Sequence, residues 1–128
     1  MGILQFAATQ GNLITEMTFT GHGDPNLIQF GPDPTRDILT TTNDAKTGVL
    51  SIVAGNGTDL TKLLDSSLAP KAKVNLQGCK TATRPGSLTE QFSIALPGRT
   101  ITGAYKYALR IGRNKVAWVP MTYKKERE

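Results

Sequence analysis

Along most of the chain, apolar residues recur at every second position, and the stretches between these runs are rich in Gly, Pro, Asn, Asp and Thr. Alternation of this kind puts successive side chains on opposite faces of an extended strand, and the intervening residues mark turns. Leu13, Thr15, Met17 and Phe19 alternate with Ile14, Glu16, Thr18 and Thr20, which predicts a half-buried strand paired with residues 3–8 across a turn at Gly11-Asn12. Between residues 21 and 35, Gly21, Gly23, Pro25, Gly31, Pro32 and Pro34 are too dense for regular structure beyond a short strand at 27–30, so a long surface loop is expected. Residues 38–42 and 49–54 read as two strands joined at Asn43-Asp44-Ala45-Lys46, the second central because it is apolar on both faces.

One stretch has helical spacing. Thr58 and Asp59 offer a cap, and Leu60, Leu63, Leu64 and Leu68 form a stripe that Pro70 ends, predicting a helix over 58–69 packed on its own sheet. Beyond it, Lys71, Lys73, Asn75 and Gln77 alternate with Ala72, Val74 and Leu76. After a turn at Arg84-Pro85-Gly86-Ser87, residues 88–96 place Phe92, Ile94 and Leu96 on one face, so a hairpin is expected here. Ile101, Tyr105, Tyr107, Leu109 and Ile111 then share one face, with Thr100, Thr102, Lys106, Ala108 and Arg110 on the other. A turn at Gly112-Arg113-Asn114-Lys115 leads into a last strand at 116–123, followed by a charged, frayed tail. The expected fold is mainly β: a single domain over residues 1–128, with an antiparallel sheet of about six to eight strands and one short helix.

Composition narrows the chemistry. At 128 residues the chain suits one domain with one core. Its single cysteine, Cys79, cannot form an internal disulfide and reads as a small buried hydrophobe. No apolar run is long enough to span a bilayer, and the start Met-Gly-Ile-Leu-Gln-Phe lacks a basic signal-peptide region, so a reducing aqueous compartment and no membrane partner are expected. His22, the only histidine, sits between two glycines and is poorly held for catalysis. The acids Asp24, Asp33, Asp37 and Asp44 lie near prolines or turns, where local backbone bonding accounts for them. The Gly55-Asn56-Gly57 cluster lacks the Lys-Ser/Thr of a phosphate loop. No catalytic residue, metal site or cofactor is therefore expected.

Charge is distributed unevenly. Residues 1–60 carry two basic and six acidic side chains, net minus four; residues 61–128 carry thirteen basic and four acidic, net plus nine. Such asymmetry points to a polyanionic partner for the second half or to association of acidic with basic surfaces of neighbouring copies. Candidate nucleic-acid contacts are Lys71, Lys73, Asn75 and Gln77 on one strand face, and Lys106 and Arg110, with Thr102, on another. Cations would hold phosphates while Asn, Gln and Thr bond bases or riboses; the alternative is a solvated face with scattered lysines. Tyr105, Tyr107 and Trp118 could stack on bases, but alternation with Lys106 turns the two tyrosines toward the core.

The segment Lys71-Ala72-Lys73-Val74-Asn75-Leu76-Gln77, with its turn and Gln91-Phe92-Ser93-Ile94-Ala95-Leu96-Pro97, resembles the central hairpin of coat proteins of single-stranded RNA bacteriophages. The resemblance implies a homodimer with a continuous sheet, assembly into a larger particle, and an inner sheet face that binds genomic RNA. It also implies location in the virion after synthesis in the host cytoplasm. Those proteins end in two helices that clasp the partner, whereas 116–123 reads as a strand, so dimerisation would use the leucine-striped helix or strand edges. Two other functions stay open: a monomeric module binding single-stranded nucleic acid, and a small enzyme or carbohydrate-binding domain built on the 21–37 loop with His22 and Asp24.

Overall fold

The computed structural model describes the backbone of residues 3–10, 13–29, 31–33, 35–43, 46–111 and 115–125, and the side chains of these except 3–10, 107–111 and 115–119. The expected turns at Gly11-Asn12 and Gly112-Arg113-Asn114, residues Phe30, Pro34, Asp44 and Ala45, and the last three residues of the tail lie outside the described residues.

The chain is mainly β, as its alternation predicts, but it builds two sheets rather than one. Sheet A contains β1 (Ile3–Gln10), β2 (Leu13–Thr20), β7 (Leu68–Gln77), β8 (Thr100–Ile111) and β9 (Lys115–Lys124), in that order. Sheet B is a meander of β3 (His22–Asp24), β4 (Leu27–Gln29), β5 (Ile38–Asn43) and β6 (Leu50–Ala54). The expectation of an antiparallel sheet holds for sheet B and for the β1–β2 and β8–β9 pairs; β7, however, runs parallel to both β2 and β8. A parallel pair needs a crossover. Sheet B and helix α1 (Thr61–Ser67) occupy the one between β2 and β7, and helix α2 (Leu88–Ala95) lies in the one between β7 and β8.

Four expectations are corrected. Residues 88–96 form α2, not a strand, so the hairpin that carried the resemblance is a strand, a turn and a helix. Leu88, Phe92 and Leu96, all fully buried, recur at a spacing of four that suits either period; Ile94, 48% exposed, shows that the helical one governs. Ser87 at the N-cap and Glu90 three residues on match a helix start, and the Glu90 carboxylate accepts from the Gly86 N–H at 2.7 Å. The loop of residues 21–35 holds the expected short strand, as β4, but also an unexpected one, β3, with which it pairs. The leucine helix is shorter than expected, and its stripe is split: Leu64 and Leu68 are buried while Leu63 is 62% exposed. β6, expected to be central, is an edge strand. Its apolar second side is explained by a cover rather than a neighbour strand: Leu60 N–H and Ala54 N–H bond Ile52 O and Thr58 O, and Ile52 N–H bonds Thr61 Oγ1.

The core lies between the sheets, where both helices fill the gap. α2 touches β8 and β9 on one side and β5 and β6 on the other; α1 touches β2, β6 and β7. Met17, Phe19, Val74, Leu76 and Ile101 from sheet A meet Ile28, Leu39 and Ile52 from sheet B and Leu64, Leu88, Phe92 and Leu96 from around the helices. This packing consumes only one face of sheet A.

Candidate nucleic-acid interface

The face of sheet A away from the core is set by β7, its middle strand. Ala72, Val74 and Leu76 are almost completely buried, while Lys71 and Lys73 are exposed and Asn75 and Gln77 half-buried. Strict alternation on a central strand thus delivers all four predicted polar residues away from the core. Register extends them into rows across the sheet: Lys73 pairs with Glu16 and Thr100, and Thr100 with Lys124; Asn75 pairs with Thr18 and Thr102, and Thr102 with Thr122.

Within these rows the side chains bond one another. The Asn75 amide donates to Glu16 Oε2 at 3.0 Å and to Thr18 Oγ1 at 3.1 Å. Thr20 donates its hydroxyl to Gln77 Oε1 at 3.0 Å, and the Thr102 and Thr122 hydroxyls share a bond of 3.0 Å. The amides predicted to meet bases are therefore engaged by their neighbours, and Thr18 and Thr20 are buried, which leaves the Gln77 NH2 and the Thr102 and Thr122 hydroxyls as outward polar contacts. Lys71 and Lys73 form no ion pair among the described residues. The sequence did not single out Glu16, Thr122 or Lys124; the alternation of β2 shows Glu16 on the polar face, but only register brings Lys124 into the lysine row.

At the Lys71 end the sheet opens. Between the pairs Ile14–Leu68 and Glu16–Lys73, β2 advances two residues and β7 five, so residues 69–72 arch away. Thr15, Ala69, Pro70, Lys71 and Ala72 line the resulting cavity of about 350 Å3. Beneath it, Arg99 is 3% exposed and donates to Ala69 O at 3.0 Å, Leu68 O at 3.0 Å and Asp65 O at 2.8 Å, with its Nη1 on the Asp65 carboxylate. A guanidinium at the C-terminal end of α1 satisfies carbonyls that the helix leaves unpaired and sits at the negative end of its dipole. It also fixes the start of β7.

Lys106 and Arg110 do not join this group. Thr100 is the partner of Lys73, and Lys106 is six residues further along β8, roughly 20 Å away at strand rise. The Arg110, Tyr107 and Trp118 side chains lie outside the described residues. Tyr105, expected in the core, is 41% exposed. It falls in an irregular stretch of the ladder: between Ala104 and Ala108, β8 advances four residues while β9 moves only from Pro120 to Trp118.

No family model, curated protein or solved structure matches the chain. The other sequence candidates behave as local structure. Asp24 accepts from Asn26 N–H at 2.7 Å and Leu27 N–H at 3.0 Å, closing the β3–β4 turn. The Thr35 hydroxyl and N–H hold the Asp33 carboxyl below its ordinary range, and the Thr61 N–H and hydroxyl do the same for Asp59. His22 is exposed on β3 opposite Gln29, and Cys79 is half-buried rather than buried. Among the described residues no three His, Cys, Asp or Glu side chains cluster as a metal would require, and no helix is long and apolar enough to cross a membrane.

Proposed function

We propose that the chain is a non-enzymatic, self-assembling structural subunit, a coat protein of a virus or phage, which turns the open face of sheet A toward genomic RNA. The observation that carries this reading is the face itself. Two exposed lysines, with no ion pair among the described residues, stand on a central strand beside hydroxyls and amides, on the side of that strand that the core does not use. From β2 to β9, a phosphodiester strand laid across it meets cations and short polar groups, with no apolar residue in the Asn75 and Lys73 rows of these four strands. The edges of sheet A support association between copies. β1, Ile-Leu-Gln-Phe-Ala-Ala-Thr-Gln, is an edge strand with neither charge nor proline, whereas the opposite edge, β9, carries Pro120 and a lysine at each end. Natural edges are normally blunted by such residues, and an edge without them is suited to pairing with another chain.

The test is the mass of the purified protein by size exclusion with light scattering, with the ratio of absorbance at 260 and 280 nm read across the peak. A large nucleic-acid-rich particle that loses its RNA in the Lys71→Glu/Lys73→Glu variant supports the reading. A monomer at high concentration and physiological salt sinks it. A second reading, a monomeric single-strand-binding module, is favoured by the exposure of Tyr105 beside Lys106, since such modules stack bases on exposed aromatics. A monomer that retains labelled RNA at low salt would put it first.

A further inference from the structure

Sheet B runs out from under its helix. On β5, Leu39, Thr41 and Asn43 share one face, and the register Thr41–Ile52 and Asn43–Leu50 sets Ile52 and Leu50 of β6 beside them. Leu39 and Ile52 are buried, Thr41 and Leu50 half-buried and Asn43 exposed, so this face loses its cover step by step toward the β5–β6 turn. The cover is α2, which touches both strands. Ile94, near the end of α2 and 48% exposed, walls the uncovered stretch. The result is a groove of about 440 Å3 lined by Thr41, Thr42, Asn43, Leu50, Gln91 and Ile94. Small-molecule sites have volumes of about 300–1,000 Å3.

Among the described residues no charged side chain lines the groove. The side chains of Thr41, Thr42 and Asn43 form no hydrogen bond with another described residue, and Gln91 donates to Gly86 O at 2.5 Å, which leaves its carbonyl as an acceptor. An ionic ligand finds no counter-charge here, and a wholly apolar one would strip water from two amides and a hydroxyl without replacing its hydrogen bonds. The lining suits a neutral molecule that is rich in groups able both to donate and to accept, with one apolar side. A sugar ring has this character. Two adjacent hydroxyls match a carboxamide, whose NH2 donates while its carbonyl accepts, and the C–H face of the ring can rest on Ile94 and Leu50.

We propose that this groove binds a neutral hexose unit of a glycan: Asn43 bridges two adjacent hydroxyls, Thr41 and the Gln91 carbonyl hold others, and Ile94 and Leu50 support the ring. The site goes beyond the RNA reading and does not rest on it, since no described residue of sheet A lines the groove.

The test is saturation-transfer NMR, which observes the ligand and so tolerates an assembly of any size. The full chain is mixed with the methyl glycosides of glucose, galactose, mannose and N-acetylglucosamine, each at about 10 mM, where millimolar binding is visible. At least one is expected to receive saturation on its ring protons. Asn43→Ala and the shape-conserving Thr41→Val should each weaken that glycoside by about 3–10-fold, the loss of one hydrogen-bonding group. Ile94→Lys, at a half-solvated position near a helix C-terminus, should abolish the signal, with circular dichroism confirming that each variant is folded. Silence from all four glycosides overturns the proposal, as does a signal that survives both Asn43→Ala and Ile94→Lys. Cyclohexanol receiving as much saturation as the glycosides, and losing it in Ile94→Lys, would mean a plain apolar crevice and overturn it too. A parent chain that binds a glycoside in this way but no RNA would sink the RNA reading and leave this site standing.

Discussion

Arg99 at the start of β8 reaches the carboxylate of Asp65 on α1, although 34 residues separate them and only the arginine is buried. The side chains are 3% and 46% exposed, so the two partners are not equivalent. Arg99 also binds three carbonyls at the α1–β7 junction; losing it strands those acceptors in the interior, whereas losing Asp65 removes one half-solvated charge. Arg99→Ala is therefore expected to cost about 3 kcal/mol and Asp65→Ala about 1 kcal/mol or less in urea unfolding. Equal losses would mean that the ion pair, not the carbonyl cluster, is the contribution that matters.

Gly103 lies against Thr89 and Thr81, leaving no room for a Cβ without displacing the Thr89 hydroxyl. Both threonines are fully buried: Thr81 donates to Leu76 O and Gly78 O and accepts from Ala104 N–H, and Thr89 donates to Thr81 O. Gly103→Ala is expected to destabilise by about 1–3 kcal/mol through overpacking. In a Gly103→Ala/Thr89→Ala double variant the combined loss should fall short of the sum, because the second change removes the clashing atom. Strict additivity in denaturant melts would place the strain elsewhere.

Asp33 and Asp59 have pKa values held below 3.8 by threonine hydrogen bonds. A depressed folded-state pKa contributes stability above the unfolded value, and that contribution is lost as the pH falls through the folded value, because the unfolded chain takes the proton first. Melting temperature should accordingly show no loss from these two groups down to about 3.8 and a decline below it. Asp33→Ala/Asp59→Ala should begin less stable and lose less between about pH 5 and about pH 2. An unchanged acid limb in that variant would refute the assignment.

Tyr105→Ala should leave the melting temperature nearly unchanged, since the side chain is 41% exposed, whereas Phe92→Ala, fully buried, should cost about 3–5 kcal/mol. Comparable unfolding in both would return Tyr105 to the core.

The sequence made β7 legible from Lys71 onward because there one face of the strand is core and the other polar, so Ala72, Val74 and Leu76 separate cleanly from Lys71, Lys73, Asn75 and Gln77. α2 was misread for a physical reason: Leu88, Phe92 and Leu96 satisfy both periods, and Ile94 gave the strand period an additional apolar position. Tyr105 falls where the β8–β9 ladder is irregular, a relation between two strands that leaves no trace in either alone. The gathering of Lys73 with Lys124, and the parting of both from Lys106, likewise depend on parallel register between segments far apart in the chain. Thr81, Thr89 and Arg99 carry no local pattern; their roles come from the packing around them.

The Thr20–Gln77 hydrogen bond spans 57 residues, and it joins the two strands on which sheet A is founded. The β1–β2 pair therefore leaves the ribosome with an apolar side and no partner until β7 has been synthesised. Non-local pairing makes folding slow, because chain entropy is lost before contacts repay it. The strands of sheet B are sequential neighbours enclosed within that same interval, so their early formation would draw the ends of the interval together. Pulsed hydrogen exchange during refolding is expected to protect β4–β6 before β2 and β7; the reverse order would mean that sheet A nucleates without this local scaffold.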